Sequence, residues 1–162
     1  MKTIQSSFEY TEYNDIKELP PEDQHLVEES RQQTAFAYAP YSDFYVGAAV
    51  LLDNGFIMKG SNQENSAYPS GLCAERVAVF AASAHYPESG IKAIAISARA
   101  RDFAVTDPVT PCGACRQVMA EYESKQKYPI RVILSSPSGK ILMVKKVTDL
   151  LPMYFLLDSL KK

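Results

Sequence analysis

The chain has three cysteines, placed as Cys73-Ala74-Glu75 and Pro111-Cys112-Gly113-Ala114-Cys115. Thiolates at this spacing suit one zinc ion. The i,i+3 separation of Cys112 and Cys115 puts both sulfurs on one face of a helical turn, and Cys73 must then come from a second helix end. A structural zinc normally closes its tetrahedron with four protein ligands, whereas a catalytic zinc holds three and keeps the fourth corner for water or substrate. Here the thiols run out at three. Read alone, Cys112 and Cys115 also fit a thioredoxin-like redox pair; the third cysteine, ahead of Glu75, and the Gly113-Ala114 spacer favour zinc. Cysteine binds zinc as thiolate, and a helix N-terminus, with its unpaired N–H groups, lowers the thiol pKa.

Glu75 lies two residues past Cys73, about 200° around an ideal helix, so the two side chains are poorly placed to chelate one ion together. It reads instead as a proton carrier beside the metal, because zinc acidifies water and a nearby carboxylate can take the proton and pass it on. The plain alternative is a first-turn glutamate that favours the helix dipole. Three thiolates give the centre a formal charge of −1, and Arg76 is the candidate to offset it by donating to sulfur. A surface salt bridge is the alternative for Arg76. His25 and His85 sit on expected helices with no motif around them and read as structural or solvent-facing.

These residues need two helix starts brought together. Glu22-Asp23 after Pro20-Pro21 open a first helix, whose face is Leu26, Val27, Ser30, Thr34, Ala37 and Tyr38 before Pro40 ends it. Strands over 45–53 and 56–59 flank the Asp53-Asn54-Gly55 hairpin turn. A helix from Cys73 to His85, a strand over 91–98 and a helix from Cys112 to Glu123 follow. Strands over 130–135 and 141–147, and a terminal helix over 149–160, complete the chain. Alternating strands and helices predict an α/β domain with a buried sheet. Residues 1–20 read as an appended arm and residues 21–162 as the domain.

The length of 162 residues and a 46% hydrophobic composition fit one domain with an ordinary core. Met1 to Gln5 are followed by polar and acidic residues, and no apolar run approaches the ~20 residues that span a bilayer. A soluble, cytoplasmic protein is expected, and reducing conditions there leave an odd cysteine count without need of disulfides. The net charge is −2, and lysines pair only at Lys145-Lys146 and Lys161-Lys162. Such a balance lacks the concentrated basic face of a nucleic-acid binder, so the expected partner is a small molecule.

Cys73-Ala74-Glu75-Arg76, Pro111-Cys112-Gly113-Ala114-Cys115-Arg116 and Asn62-Gln63-Glu64-Asn65 resemble the signature of the small, homotetrameric cytidine deaminases. Tyr38 to Phe44 and Leu150-Leu151-Pro152 are similar to further segments of that family, so the resemblance covers roughly residues 22–157. It implies a three-layer α/β/α sandwich around a five-stranded mixed sheet, one zinc per chain, and hydrolytic deamination of cytidine and 2′-deoxycytidine in pyrimidine salvage. It also implies that Asn62 and Glu64 grip the ribose 3′-OH and that Phe44 and a neighbouring subunit's copy of Phe155 pack against the pyrimidine. Ser66 and Tyr68 would meet the 5′ end across a subunit contact, and Ala74 would offer its backbone. Plain core packing is the alternative for the two phenylalanines, and a self-bonded polar loop for Asn62 and Glu64. Gln63 departs from the small apolar residue often found there. A cytosine-containing antibiotic nucleoside is a rival substrate, and a zinc-stabilised binding module is a rival of another class.

Overall fold

A computed structural model of the chain describes residues 1–156. Its elements are β1 (Tyr10–Tyr13), α1 (Pro21–Gln33), β2 (Phe44–Leu52), β3 (Ile57–Ser61), α2 (Ala74–His85), β4 (Ile91–Ala100), α3 (Gly113–Gln126), β5 (Arg131–Ser135) and β6 (Ile141–Val144), with short 3-10 turns between them. The strands form one mixed sheet in the order β1-β6-β5-β4-β2-β3, with β4 and β5 parallel and the other neighbours antiparallel.

Period-two alternation divides the strand residues between two cores. Ala48, Val50, Ile94, Ile96, Val132 and Leu134 pack with α2 and α3, while Ala49, Leu51, Ala93, Ala95 and Ile133 pack with Leu26 and Val27 of α1. Helices therefore cover both faces, as expected. The sheet has six strands, however, and not five. The sixth is β1, contributed by the arm: Tyr10 to Tyr13 pair antiparallel with Val144 to Ile141. Backbone donors and acceptors on the open edge of β6 recruit this short, polar segment, and Tyr13 packs against the α1-side core.

The Asp53-Asn54-Gly55 turn forms as expected, with Gly55 at φ 86° and the Asn54 side chain accepting from the Phe56 N–H at 2.9 Å. Two helical expectations change. The first helix gives way after Gln33 to a 3-10 turn over Thr34–Phe36, where Thr34 Oγ1 donates to the Arg31 carbonyl at 2.8 Å. The terminal helix is absent over 151–156: a 3-10 turn at Val147–Leu150 leads into an irregular tail. Pro152 disfavours a helical Leu151 and lacks the donor a helix needs. Gln117 of α3 captures the tail instead, accepting from the Phe155 N–H at 3.1 Å and donating to its carbonyl at 2.8 Å. The rest of the expected helix, residues 157–160, lies outside the described residues.

Contacts at Gly60, Glu123 and Gln126 aim the helix starts. Gly60 of β3 lies so close to α2 that a Cβ there would meet the Ala78 nitrogen at 2.5 Å and the Ala74 carbonyl at 2.7 Å, so only glycine lets the helix seat on the strand. At the far end of α3, the buried Glu123 carboxylate accepts from the Ile130 and Val147 N–H groups, both at 2.8 Å. Gln126 brackets the Ile91 backbone at 2.9 and 2.8 Å. With its C-terminal end tied to the start of β4, α3 brings Cys112 toward the other end of that strand.

Deleting residues 1–13 should lower the melting temperature by roughly 2–8 °C, the shift that losing about 1–2 kcal/mol produces in a chain of this size. Zinc content should not change, because β1 pairs with β6 and neither strand carries a cysteine. Differential scanning calorimetry beside metal analysis reads both, and an unmoved melting point would deny β1 a stabilising role.

Candidate active site

Cys73 is the N-cap residue of α2 and Cys112 that of α3, while Cys115 lies in the first turn of α3. The three sulfurs lie within 4.8 Å of one another, with Cys73 and Cys112 3.9 Å apart and Cys112 and Cys115 3.5 Å apart. A tetrahedral zinc with Zn–S bonds of ~2.3 Å requires sulfurs roughly 3.8 Å apart, so the cluster fits the ion. None of the three is in a disulfide.

The protein's own groups already favour a thiolate here. The Cys73 thiol is lowered to about 5, chiefly by a hydrogen bond from Cys115, with burial opposing and Arg76 and Cys112 assisting. The same contact pushes Cys115 upward, so these two thiols divide one proton. Arg76 reaches the Cys73 sulfur at 3.9 Å and the Gly71 carbonyl at 3.4 Å through Nη2. Its buried Nε has no hydrogen-bond partner among the described residues. Arg116 is structural: it donates to the Pro111 and Leu150 carbonyls, both at 2.8 Å, and ties the tail to the start of α3.

A cavity of about 640 Å³ opens over the thiols, lined by Cys73, Cys112, Glu75, Phe44, Asn62, Glu64 and Tyr68 among others. Glu75 is only 4% exposed, and burial is the largest influence raising its carboxyl above the ordinary range. Such a group holds and returns a proton more readily than a solvated glutamate. The structure thus brings Glu75 into the same cavity as two of the thiols.

Asn62 and Glu64 both reach the cavity, but each also braces its wall. The Asn62 amide accepts from the Val46 N–H at 2.8 Å and donates to the Phe44 carbonyl at 2.9 Å. Glu64 accepts from the Tyr41 and Ser42 N–H groups at 2.9 and 3.3 Å and from Ser42 Oγ at 2.5 Å. Burial raises the Glu64 carboxyl, but these three bonds outweigh it and leave the group below its ordinary range. An amide and a carboxylate have more hydrogen-bonding positions than these contacts fill, so each can still meet a ligand. Gln63 closes the loop, exchanging two 2.9 Å backbone bonds with Leu72 while its side chain donates to Ser61 Oγ at 3.1 Å. Ala74 is buried at the start of α2. Ser66, Ala74 and Phe155 are not part of the lining, and Phe155 stands 62% exposed.

Tyr41, Ser42, Val109 and Thr110 also line the cavity, although no role could be read for them individually. Tyr41 and Ser42 belong to the Tyr38–Phe44 segment already noted, a usable signal. Val109 and Thr110 follow no pattern and arrive only because their loop leads into Cys112.

Residues 20–129 match the family profile of the cytidine and deoxycytidylate deaminase zinc-binding region. A cytidine deaminase of Halalkalibacterium halodurans is 40% identical over 137 residues, spanning 85% of this chain and 96% of the relative. One from Mycobacterium tuberculosis is 35% identical over 131 residues, spanning 81% and 87%. The crystal structure of cytidine deaminase from Burkholderia pseudomallei superposes with a TM-score of 0.71 at 39% identity, covering 81% of this chain and 97% of that one.

Metal analysis of the purified protein should return about one zinc per chain, and Cys112→Ala or Cys115→Ala should remove most of it, because two thiolates hold the ion far less well than three. Full occupancy in either variant would place the metal elsewhere.

Proposed function

Because the chain belongs to the cytidine and deoxycytidylate deaminase family, we propose that it hydrolyses cytidine and 2′-deoxycytidine to uridine and 2′-deoxyuridine with release of ammonia. The observation that carries this reading is a cluster of three converging thiols, two of which line one cavity together with a buried, protonatable Glu75. Cys73, Cys112 and Cys115 hold zinc, which supplies the Lewis acidity that lowers the pKa of water from near 16 toward ~7. Glu75 takes the proton that water gives up and places it on N3 of the ring, then takes the remaining proton from the oxygen added at C4 and delivers it to the departing amine. Water's oxygen ends on C4 and the nitrogen leaves as ammonia. Arg76 moderates the sulfur charge, and the walls braced by Asn62 and Glu64 receive the ribose, with Phe44 against the pyrimidine.

The cavity favours a nucleoside over its monophosphate. Neither lysine nor arginine is among its lining residues, and burying an unpaired phosphate dianion is expensive. Residues 21–162 carry this activity, with residues 1–20 as an added arm. Among the described residues no helix is long and apolar enough to cross a membrane; cytoplasmic pyrimidine salvage is the setting that suits the reaction.

We also propose a homotetramer with shared sites. Leu150 to Leu157 contain no charged residue, and Met153 and Phe155 are exposed. Apolar side chains left open in this way mark an interface, and closed symmetric assemblies are the common way to cover one. Ser66 and Tyr68 would then meet the substrate's 5′ end at a subunit contact.

Glu75→Gln keeps the side chain's shape and removes the carboxylate that carries the proton. Ultraviolet assay of cytidine conversion should show kcat falling by ~10⁴, the upper end for a general acid–base residue, with zinc content unchanged. Near-normal kcat would assign the proton transfers to another group.

Phe155→Ala should raise KM for cytidine, while light scattering reports a tetramer for the unmodified protein. A fully active monomer at assay concentration would exclude shared sites.

A further inference from the structure

Phe103 is 60% exposed on the loop between β4 and α3, and its ring stacks on Phe44 with centroids 6.2 Å apart and planes only 12° from parallel. Phe44 lines the cavity and Phe103 does not, so Phe103 meets Phe44 from outside. The Phe44 backbone is held on both sides: its N–H donates to Ser42 Oγ at 3.1 Å and its carbonyl accepts from Asn62 at 2.9 Å. What those bonds leave free is the ring, and Phe103 is the aromatic side chain packed on it.

The loop is built to hold that stack. At its start the Arg101 N–H donates to the Asp43 carbonyl at 3.1 Å, and the Arg101 guanidinium pairs with the Asp43 carboxylate, directly before Phe44. Farther along, Ser138 Oγ donates to the Thr106 carbonyl at 2.8 Å and Lys140 pairs with Asp107 at 3.3 Å. Beyond these ties, Val109 and Thr110 form cavity wall and the chain enters Cys112.

We propose that Phe103 is a positioning residue for nucleoside binding: it holds the Phe44 ring in the orientation that receives the pyrimidine, without touching the substrate. The inference rests on the deaminase reading above, in which Phe44 faces the base. An ordered ring spares the substrate the cost of ordering it on binding. That benefit is the same for bound substrate and transition state, so it appears in KM and leaves kcat alone.

The test uses full-length, zinc-loaded protein and cytidine. Phe103→Ala should raise KM about 2- to 12-fold, the factor corresponding to an aromatic pair, with kcat within about twofold and the melting temperature lowered by no more than roughly 1–6 °C, the shift that the same loss produces in a chain of this size. Phe103→Tyr, which keeps the ring, should restore KM. In a Phe44→Leu background, Phe103→Ala should have no further effect. Phe103→Leu serves as a second variant if the alanine protein folds poorly. An unchanged KM, a loss confined to kcat, an equal KM rise in the Phe44→Leu background, or a changed oligomeric mass accounting for the loss would each overturn the proposal. An unmodified protein that leaves cytidine intact overturns the deaminase reading and this inference together; one that deaminates cytidine with no KM change in Phe103→Ala overturns the inference alone.

Discussion

Gathering three thiols within 4.8 Å of one another is the constraint around which the fold is arranged. Each must lose its proton to bind one cation, and mutual repulsion opposes every loss after the first. Two helix N-termini pointed at one spot offset part of that cost, since their unpaired N–H groups favour negative charge. Hence Cys73 and Cys112 are N-cap residues, and α2 and α3 must lie on the same face of the sheet. Gly60 seats one helix, and Glu123 and Gln126 anchor the other at its far end. Parallel pairing of β4 and β5 leaves room for α3 as the crossover between them.

Burial pushes both cavity glutamates the same way, and their hydrogen-bond donors separate them. For Glu75, desolvation raises the carboxyl and suits it to carry protons. For Glu64, three short-range donors outweigh desolvation and keep the carboxylate charged, so it serves as a fixed acceptor. The two glutamates share one cavity, and their separate roles come from hydrogen-bonding partners. The Tyr41–Ser42 backbone supplies much of that difference, which explains why the segment before β2 matters although it contains no titratable group that reacts.

The β4–α3 loop joins the metal site to the aromatic wall. It leaves β4 beside Asp43 and Phe44, is tied to the β5–β6 turn by Ser138 and Lys140, and enters the metal cluster at Cys112. A single connection thereby runs from Phe44 to the thiols.

Cys73, Glu75, Cys112 and Cys115 were legible without coordinates because metal chemistry dictates residue type and local helical geometry dictates spacing. The Asp53-Asn54-Gly55 hairpin was equally local, set by the φ preference of its glycine. What lay beyond local chemistry came from tertiary contacts. Tyr10 to Tyr13 have no burial pattern of their own, and they become a strand because β6 offers an open edge. The tail leaves the helical path at Pro152 and is caught by Gln117 from 38 residues away. The second duty of Asn62 and Glu64 as braces, and the stacking of Phe103 on Phe44, depend on which loops meet. Sequence by itself determined which residue types were available to ligate a metal or carry a proton and the spacing of Cys112 and Cys115, since that spacing follows from geometry within one helical turn. Only the tertiary structure decided their burial, partners and aim, because those depend on segments that folding alone brings together.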